Sequence, residues 1–219
     1  MENNLQQLYG NIDIYLFDQL LKGRFKDCRT VLDVGCGSGR NLTYFLQNGY
    51  EVYGIDPNPE AVAQVQLLAE TLAADNAPPK NFTIAKAEDL PFEDNTFDLA
   101  ICSAVLHFAK DSNHFDAMLR SVWRVLKPGG HLFARLASDI GIENLVIPLD
   151  NSRYSLPDGS ERFLVNEQIL LEYTDVLGGE LFEPIKTTNV QNLRCMTTWC
   201  VRKLHSPESS PAGRTSLVI

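Results

Sequence analysis

The chain is short of positive charge. Across 219 residues it holds 19 Lys and Arg against 28 Asp and Glu, a formal net charge of −9. Such a chain repels phosphate backbones, and no run of Lys or Arg makes a local exception, so nucleic acid is not expected as a partner. Paired cysteines are also missing. Cys28, Cys36, Cys102, Cys195 and Cys200 are odd in number, irregularly spaced and form no C-x-x-C pair. That pattern speaks against a disulfide framework and against zinc, so no metal is expected, and reduced thiols suit the cytoplasm. No apolar stretch approaches the roughly 18 residues needed to span a bilayer. The opening MENNLQQLYGNIDIYLF lacks the basic n-region and apolar core of a signal peptide. The expectation is a cytoplasmic protein with no membrane partner.

What is present is ordinary for one globular domain: 44% hydrophobic and 21% charged residues, in a chain long enough for a sizeable core. Residues 13–25 predict an amphipathic helix with Ile14, Phe17, Leu20 and Leu21 on the buried face. Strands are expected at 30–34, 51–55, 82–85, 97–102 and 131–137. Between them, helices are expected from about Arg40 to Asn48-Gly49, from Pro59 with Asn58 as cap, and over 111–126 before Lys127-Pro128-Gly129-Gly130. This alternation predicts an α/β fold with a doubly wound, mostly parallel sheet. Residues 138–164 read as irregular. A helix at 166–177 precedes two consecutive strands, 182–190 and 194–202, which predict an antiparallel closing hairpin and seven strands in all. The Ser/Pro-rich stretch 205–219 reads as a flexible tail.

The central signal is Val31-Leu32-Asp33-Val34-Gly35-Cys36-Gly37-Ser38-Gly39. Glycines after a first strand let a ligand touch the backbone, and the next helix start offers free N–H groups. The spacing is G-x-G-x-G, with Arg40 in the slot where a dinucleotide fingerprint wants glycine, and no P-loop is present. Asp33 suits a cationic amino group better than a pyrophosphate. Asp56-Pro57 ends the second strand about twenty residues on, where a carboxylate can take both hydroxyls of a ribose or cap a helix.

At these residues the chain resembles class I S-adenosylmethionine-dependent methyltransferases. VLDVGCGSG and YGIDPNP look like their first two motifs. AEDLPFEDNTFDLAICSAVLHF and RVLKPGGHL are similar to the ubiquinone/menaquinone-biosynthesis branch, the type 11 methyltransferases. Gly39-Arg40-Asn41 adds a likeness to tellurite-resistance methyltransferases. The resemblance implies a Rossmann-like fold over residues 1–204 with an N-terminal cap helix, and S-adenosyl-L-methionine as cofactor. It implies Asp33, Gly35 and Gly37 at the methionine end, Asp56 and Pro57 at the ribose, Ala87 and Glu88 at the adenine, and the Ser103 backbone near the sulfonium. Relatives often carry an acid where this chain has Lys86, so the adenine contact is moved to Glu88.

A methyl on a cationic sulfur is already activated, so such an enzyme mainly aligns a nucleophile and excludes water. The expected reaction is in-line transfer to a heteroatom of a small-molecule acceptor, by a monomer or homodimer. A non-catalytic cofactor-binding protein and, behind it, a dinucleotide-dependent oxidoreductase remain open. His107 is the candidate base, or a structural histidine beneath the site. Arg135 stands out in an apolar strand and either faces an anionic acceptor or makes a structural ion pair. Tyr9, Tyr15, Arg153 and Tyr154 are possible covers of the site.

Overall fold

A computed structural model of the chain describes residues 5–73 and 77–205. Two short helices, α1 (Leu5–Tyr9) and α2 (Ile14–Leu21), open it. The alternation then runs β1 (Thr30–Val34), α3 (Thr43–Gln47), β2 (Glu51–Asp56), α4 (Pro59–Leu72), β3 (Phe82–Ile84), β4 (Phe97–Ser103), α5 (Ser112–Val125) and β5 (Leu126–Ser138). Next come β6 (Ile147–Pro148), β7 (Arg153–Ser155), β8 (Glu161–Phe163), α6 (Glu167–Val176), β9 (Gly179–Leu181), β10 (Lys186–Val190) and β11 (Arg194–Lys203).

β1 lies between β2 and β4, with β3 beyond β2 and β5 beyond β4, and all these pairs are parallel. β11 pairs antiparallel with β5, as the expected closing hairpin requires. Strand order reverses at β1, so the crevice between the carboxyl ends of β1 and β4 is the natural ligand position. Both faces of the sheet are covered, and side chains divide between them with period two. Val31, Leu99, Ile101 and Phe133 pack with Phe45, Val62 and Val65 on one face. Leu32, Ala100, Cys102, Leu132 and Ala134 pack with Phe115, Leu119 and Val122 on the other.

Several expectations are corrected. The far edge of β11 carries two strands, β10 and β9, which makes eight strands in the main sheet where seven were expected. The strand expected at 182–190 forms only over Lys186–Val190, after Pro184, which has no N–H for a ladder. The helix after the glycine loop starts at Thr43, three residues late, because Arg40 to Leu42 continue the loop as a turn, with the Leu42 N–H bonded to the Gly39 carbonyl at 2.9 Å. β5 begins at Leu126, so Lys127 to Gly130 belong to the strand, and its pairing with β4 shifts register between Phe97 and Leu99. α2 buries Leu16 and Gln19, whereas Ile14 and Leu21 are exposed, because the buried Asp13 sets its rotation. Residues 138–164 contain a separate three-stranded sheet, β6-β7-β8, of strands too short to show an alternating pattern. The tail 205–219 lies, apart from His205, outside the described residues. Among the described residues no helix is long and apolar enough to cross a membrane.

Candidate functional site

The glycine loop leaves β1 by turning against β2. Gly35 and Cys36 both donate their N–H to the Ile55 carbonyl, at 2.8 and 2.9 Å. Gly35 has a φ of +70°, and a Cβ there would stand 2.5 Å from Val105 Cγ2. No side chain fits. A Cβ at Gly37 would meet nothing within 4 Å, so that side of the loop is open for a ligand to approach the backbone.

Asp56 sits at the end of β2. Its Oδ2 accepts the Gly37 N–H at 2.9 Å, and its Oδ1 accepts the Asn58 N–H at 2.9 Å. Asn58 itself caps α4 by accepting from the Glu60 N–H at 3.0 Å. Each Asp56 oxygen therefore holds one backbone donor and keeps acceptor capacity for a second. Asp33 lies one strand over, fully buried. Its Oδ2 has no hydrogen-bond partner, and burial pushes the carboxyl up to about 8, with Arg40 opposing and Asp56 adding to the shift.

Gly35, Asp56, Pro57, Ala87 and Glu88 wall a cleft of about 460 Å³. Asp33, Gly37 and Ser103 are adjacent to that wall in sequence but are not part of it. Phe108, Lys110, His114 and Met118 complete the far side. His114 Nε2 stands 3.4 Å from Glu88 Oε1, and its Nδ1 accepts the Lys110 N–H at 3.1 Å. None of these four was singled out in the sequence. They follow β4 on a short turn and the start of α5, and their helical spacing signals only packing.

A second cavity, about 290 Å³, opens on the other side of Ala104. Ala104 walls both cavities and holds a φ of +64° without being glycine. Strain of this kind persists where the surroundings fix it, typically at a functional site. The second cavity is walled by His107 and Arg135, as well as by Arg40, Arg162 and Arg194. The last two come from β8 and β11, which no local motif marks. Tyr9, Tyr15, Arg153 and Tyr154 line neither cavity.

His107 is buried. Its Nδ1 accepts the Ala137 N–H at 3.1 Å, so the neutral ring carries its proton on Nε2. Burial, then Arg162, push its pKa down to about 4. Both the hydrogen bond and the lowered pKa favour the neutral ring. Arg135 both walls the second cavity and makes an ion pair. Its Nη1 bonds Asp13 Oδ2 at 2.8 Å, and its guanidinium lies 5.2 Å from the Tyr15 ring centroid. Arg40 reaches the same Asp13 oxygen at 3.5 Å and donates to Ser103 Oγ at 3.2 Å. The Ser103 side chain thus belongs to this network, while the next residue, Ala104, faces the cleft.

The donor set fits S-adenosylmethionine. An orphaned buried carboxyl suits its ammonium, a carboxylate with spare acceptor capacity suits its ribose hydroxyls, and the open glycine backbone allows close approach. Comparison with known proteins agrees. Residues 32–134 match the family model described as a methyltransferase domain. An uncharacterized methyltransferase of Synechocystis sp. is 36% identical over 100 residues, 46% of this chain and 43% of that protein. The tRNA U34 carboxymethyltransferase of Hahella chejuensis is 35% identical over 133 residues, 59% of this chain and 37% of that protein. The chain thus spans less than half the length of these curated relatives. Among solved structures, the 1,6-didemethyltoxoflavin-N1-methyltransferase of Burkholderia thailandensis, with S-adenosylhomocysteine bound, superimposes with a TM-score of 0.67 at 17% identity, covering 92% of this chain and 82% of that one. Residues 32–134 thus match a methyltransferase domain, and the chain shares its fold with solved S-adenosylmethionine-dependent methyltransferases.

Proposed function

We propose that the protein transfers a methyl group from S-adenosylmethionine to a heteroatom of a small-molecule acceptor held in the second cavity. The observation that carries this reading is Ala104, which walls both cavities at the carboxyl end of β4. A cofactor in the first cavity and an acceptor in the second would meet there. Bound S-adenosylmethionine supplies a methyl on a cationic sulfur; the acceptor's lone pair forms the new bond as the carbon–sulfur pair returns to sulfur, leaving a thioether.

In this reading Asp33 pairs with the cofactor's ammonium, and the Gly35 and Gly37 backbones make room for its methionine end. Asp56 accepts from the ribose hydroxyls, Pro57 and Ala87 flank the adenosine, and Glu88 accepts from the adenine amino group. His107 orients the acceptor through Nε2–H. Arg135, held by Asp13, fixes α2 over the site. The acceptor's proton, where it has one, goes to solvent or to a group outside this set. One relative's name points to a tRNA acceptor, but a cavity of about 290 Å³ in a chain of net charge −9 supports a small molecule.

Incubation with methyl-labelled S-adenosylmethionine and a cell extract tests the proposal. Label is expected in the small-molecule fraction together with S-adenosylhomocysteine. Label confined to nucleic acid would replace the acceptor class. Cofactor binding without transfer into any fraction would make the protein a non-catalytic binder.

A further inference from the structure

Four arginines in one small cavity are unexpected in an acidic chain, and their carboxylate partners are too few. Arg40 and Arg135 share one acid, Asp13, at 3.5 and 2.8 Å. Arg194 reaches Asp158 at 3.5 Å. That contact is to Asp158 Oδ2, while Oδ1 accepts the Ser160 N–H and the Ser160 hydroxyl at 2.9 and 2.6 Å, so Arg194 is paired, at long range.

Arg162 has no carboxylate partner among the described residues. Its Nη1 donates to the Glu161 carbonyl at 2.7 Å, and its guanidinium lies 5.0 Å from the Phe108 ring centroid. Phe108 in turn lines the cofactor cleft. The unpaired guanidinium therefore stands where the two cavities approach each other. The same cavity holds His107, whose one free ring nitrogen is a donor, and an apolar wall from Leu156, Val190 and Met196.

Arg40 and Arg194 are exposed and have an acid within reach, and Asp158 lines the cavity, whereas the partly buried Arg162, without a carboxylate beside it, is unfavourably placed until a counter-ion arrives. A guanidinium fork presents two parallel N–H groups to a carboxylate or phosphate. We propose that the second cavity selects an acceptor with an oxyanion head, carboxylate or phosphate, and an apolar body, and that Arg162 is its principal anchor, assisted by Arg194. This rests on the methyltransferase reading for the acceptor's role, but not for the binding itself. It also shifts anionic recognition away from Arg135, whose charge Asp13 already engages.

The test is calorimetric titration of the purified chain with benzoate, phenyl phosphate and the neutral isostere benzamide, with S-adenosylhomocysteine titrated into the same samples. Benzoate or phenyl phosphate is expected to bind at least about tenfold more tightly than benzamide, and whichever binds better identifies the head group. Arg162→Met is expected to lose about 10- to 100-fold of that anion affinity, Arg162→Lys to recover part of it, and the exposed Arg120→Met to lose none. Equal binding of benzamide by the wild type overturns the proposal whatever the variants do, as does an unchanged affinity in a folded Arg162→Met. If S-adenosylhomocysteine binds and the anions do not, this inference fails while the methyltransferase reading stands. If the anions bind and S-adenosylhomocysteine does not, the methyltransferase reading fails instead.

Discussion

Asp13 and Arg135, 122 residues apart in the chain, meet at 2.8 Å, with the Asp13 side chain fully buried. Asp13 also caps α2 by accepting the Tyr15 N–H at 3.0 Å, so one carboxylate closes a helix and ties it to the end of β5. Breaking a buried pair leaves one charge uncompensated. Asp13→Ala is expected to lower stability by about 3–5 kcal/mol in urea unfolding, and Arg135→Ala by a similar amount. Asp13→Asn, which retains a cap, is expected to fall between them and the wild type. A stability loss under about 1 kcal/mol in both alanine variants, the range of exposed pairs, would mean that the contact does not hold α2.

Asp33 supplies a proton-linked signature. Burial pushes its carboxyl up to about 8, and its Oδ2 has no hydrogen-bond partner. Pairing with the cofactor's ammonium requires the ionised form, so binding of S-adenosylhomocysteine at pH 7 is expected to release close to one proton. Calorimetry in two buffers of different ionisation heat measures this, and zero release would remove Asp33 from the ammonium site. The sign for stability follows. With the folded value raised above the unfolded 3.8, the ligand-free protein binds the extra proton and loses stability as pH rises from about 4 to about 8. Asp33→Asn is expected to flatten that loss, to gain on the order of 1–3 kcal/mol near pH 8, and to weaken cofactor binding.

Asp56→Ala is expected to weaken S-adenosylhomocysteine binding by about 2–4 kcal/mol, the loss of two charge-assisted hydrogen bonds. The variant still folds, because Asn58 caps α4 independently. An unchanged dissociation constant would reduce Asp56 to the turn it makes with Gly37 and Asn58.

His107 is expected to stay neutral across the physiological range. Its folded pKa lies near 4 and its unfolded value near 6.5. The stability it contributes is therefore full above about 6.5 and is lost as pH falls toward 4. Nitrogen-15 NMR should find Nδ1 unprotonated and Nε2 protonated from about pH 5 to 8. A titration near 7 would restore His107 as a general base.

The first cavity was largely legible in the sequence. Gly35 lies in the glycine loop, Asp56 ends the next strand with Pro57 just after it, and Ala87 and Glu88 follow the third. Their spacing follows from strand length and turn chemistry, which are local, and parallel pairing brings β1 beside β2 without further information. The alternation of strands and helices likewise determined the layered fold, since each apolar face must be buried. Of the second cavity the sequence marked His107 and Arg135, and tertiary structure decided what they meet. Arg40 follows the glycine loop, Arg135 lies on β5, Arg162 on a three-residue strand and Arg194 on the final hairpin, and no periodicity links them. Whether each guanidinium is paired depends on which acids lie within about 4 Å once the sheets have packed. Asp13, 122 residues from Arg135, engages two guanidinium groups, those of Arg135 and Arg40, while Arg162 is left without an acid among the described residues. Coulombic pairing depends on distance in space, and only the packed chain sets that distance.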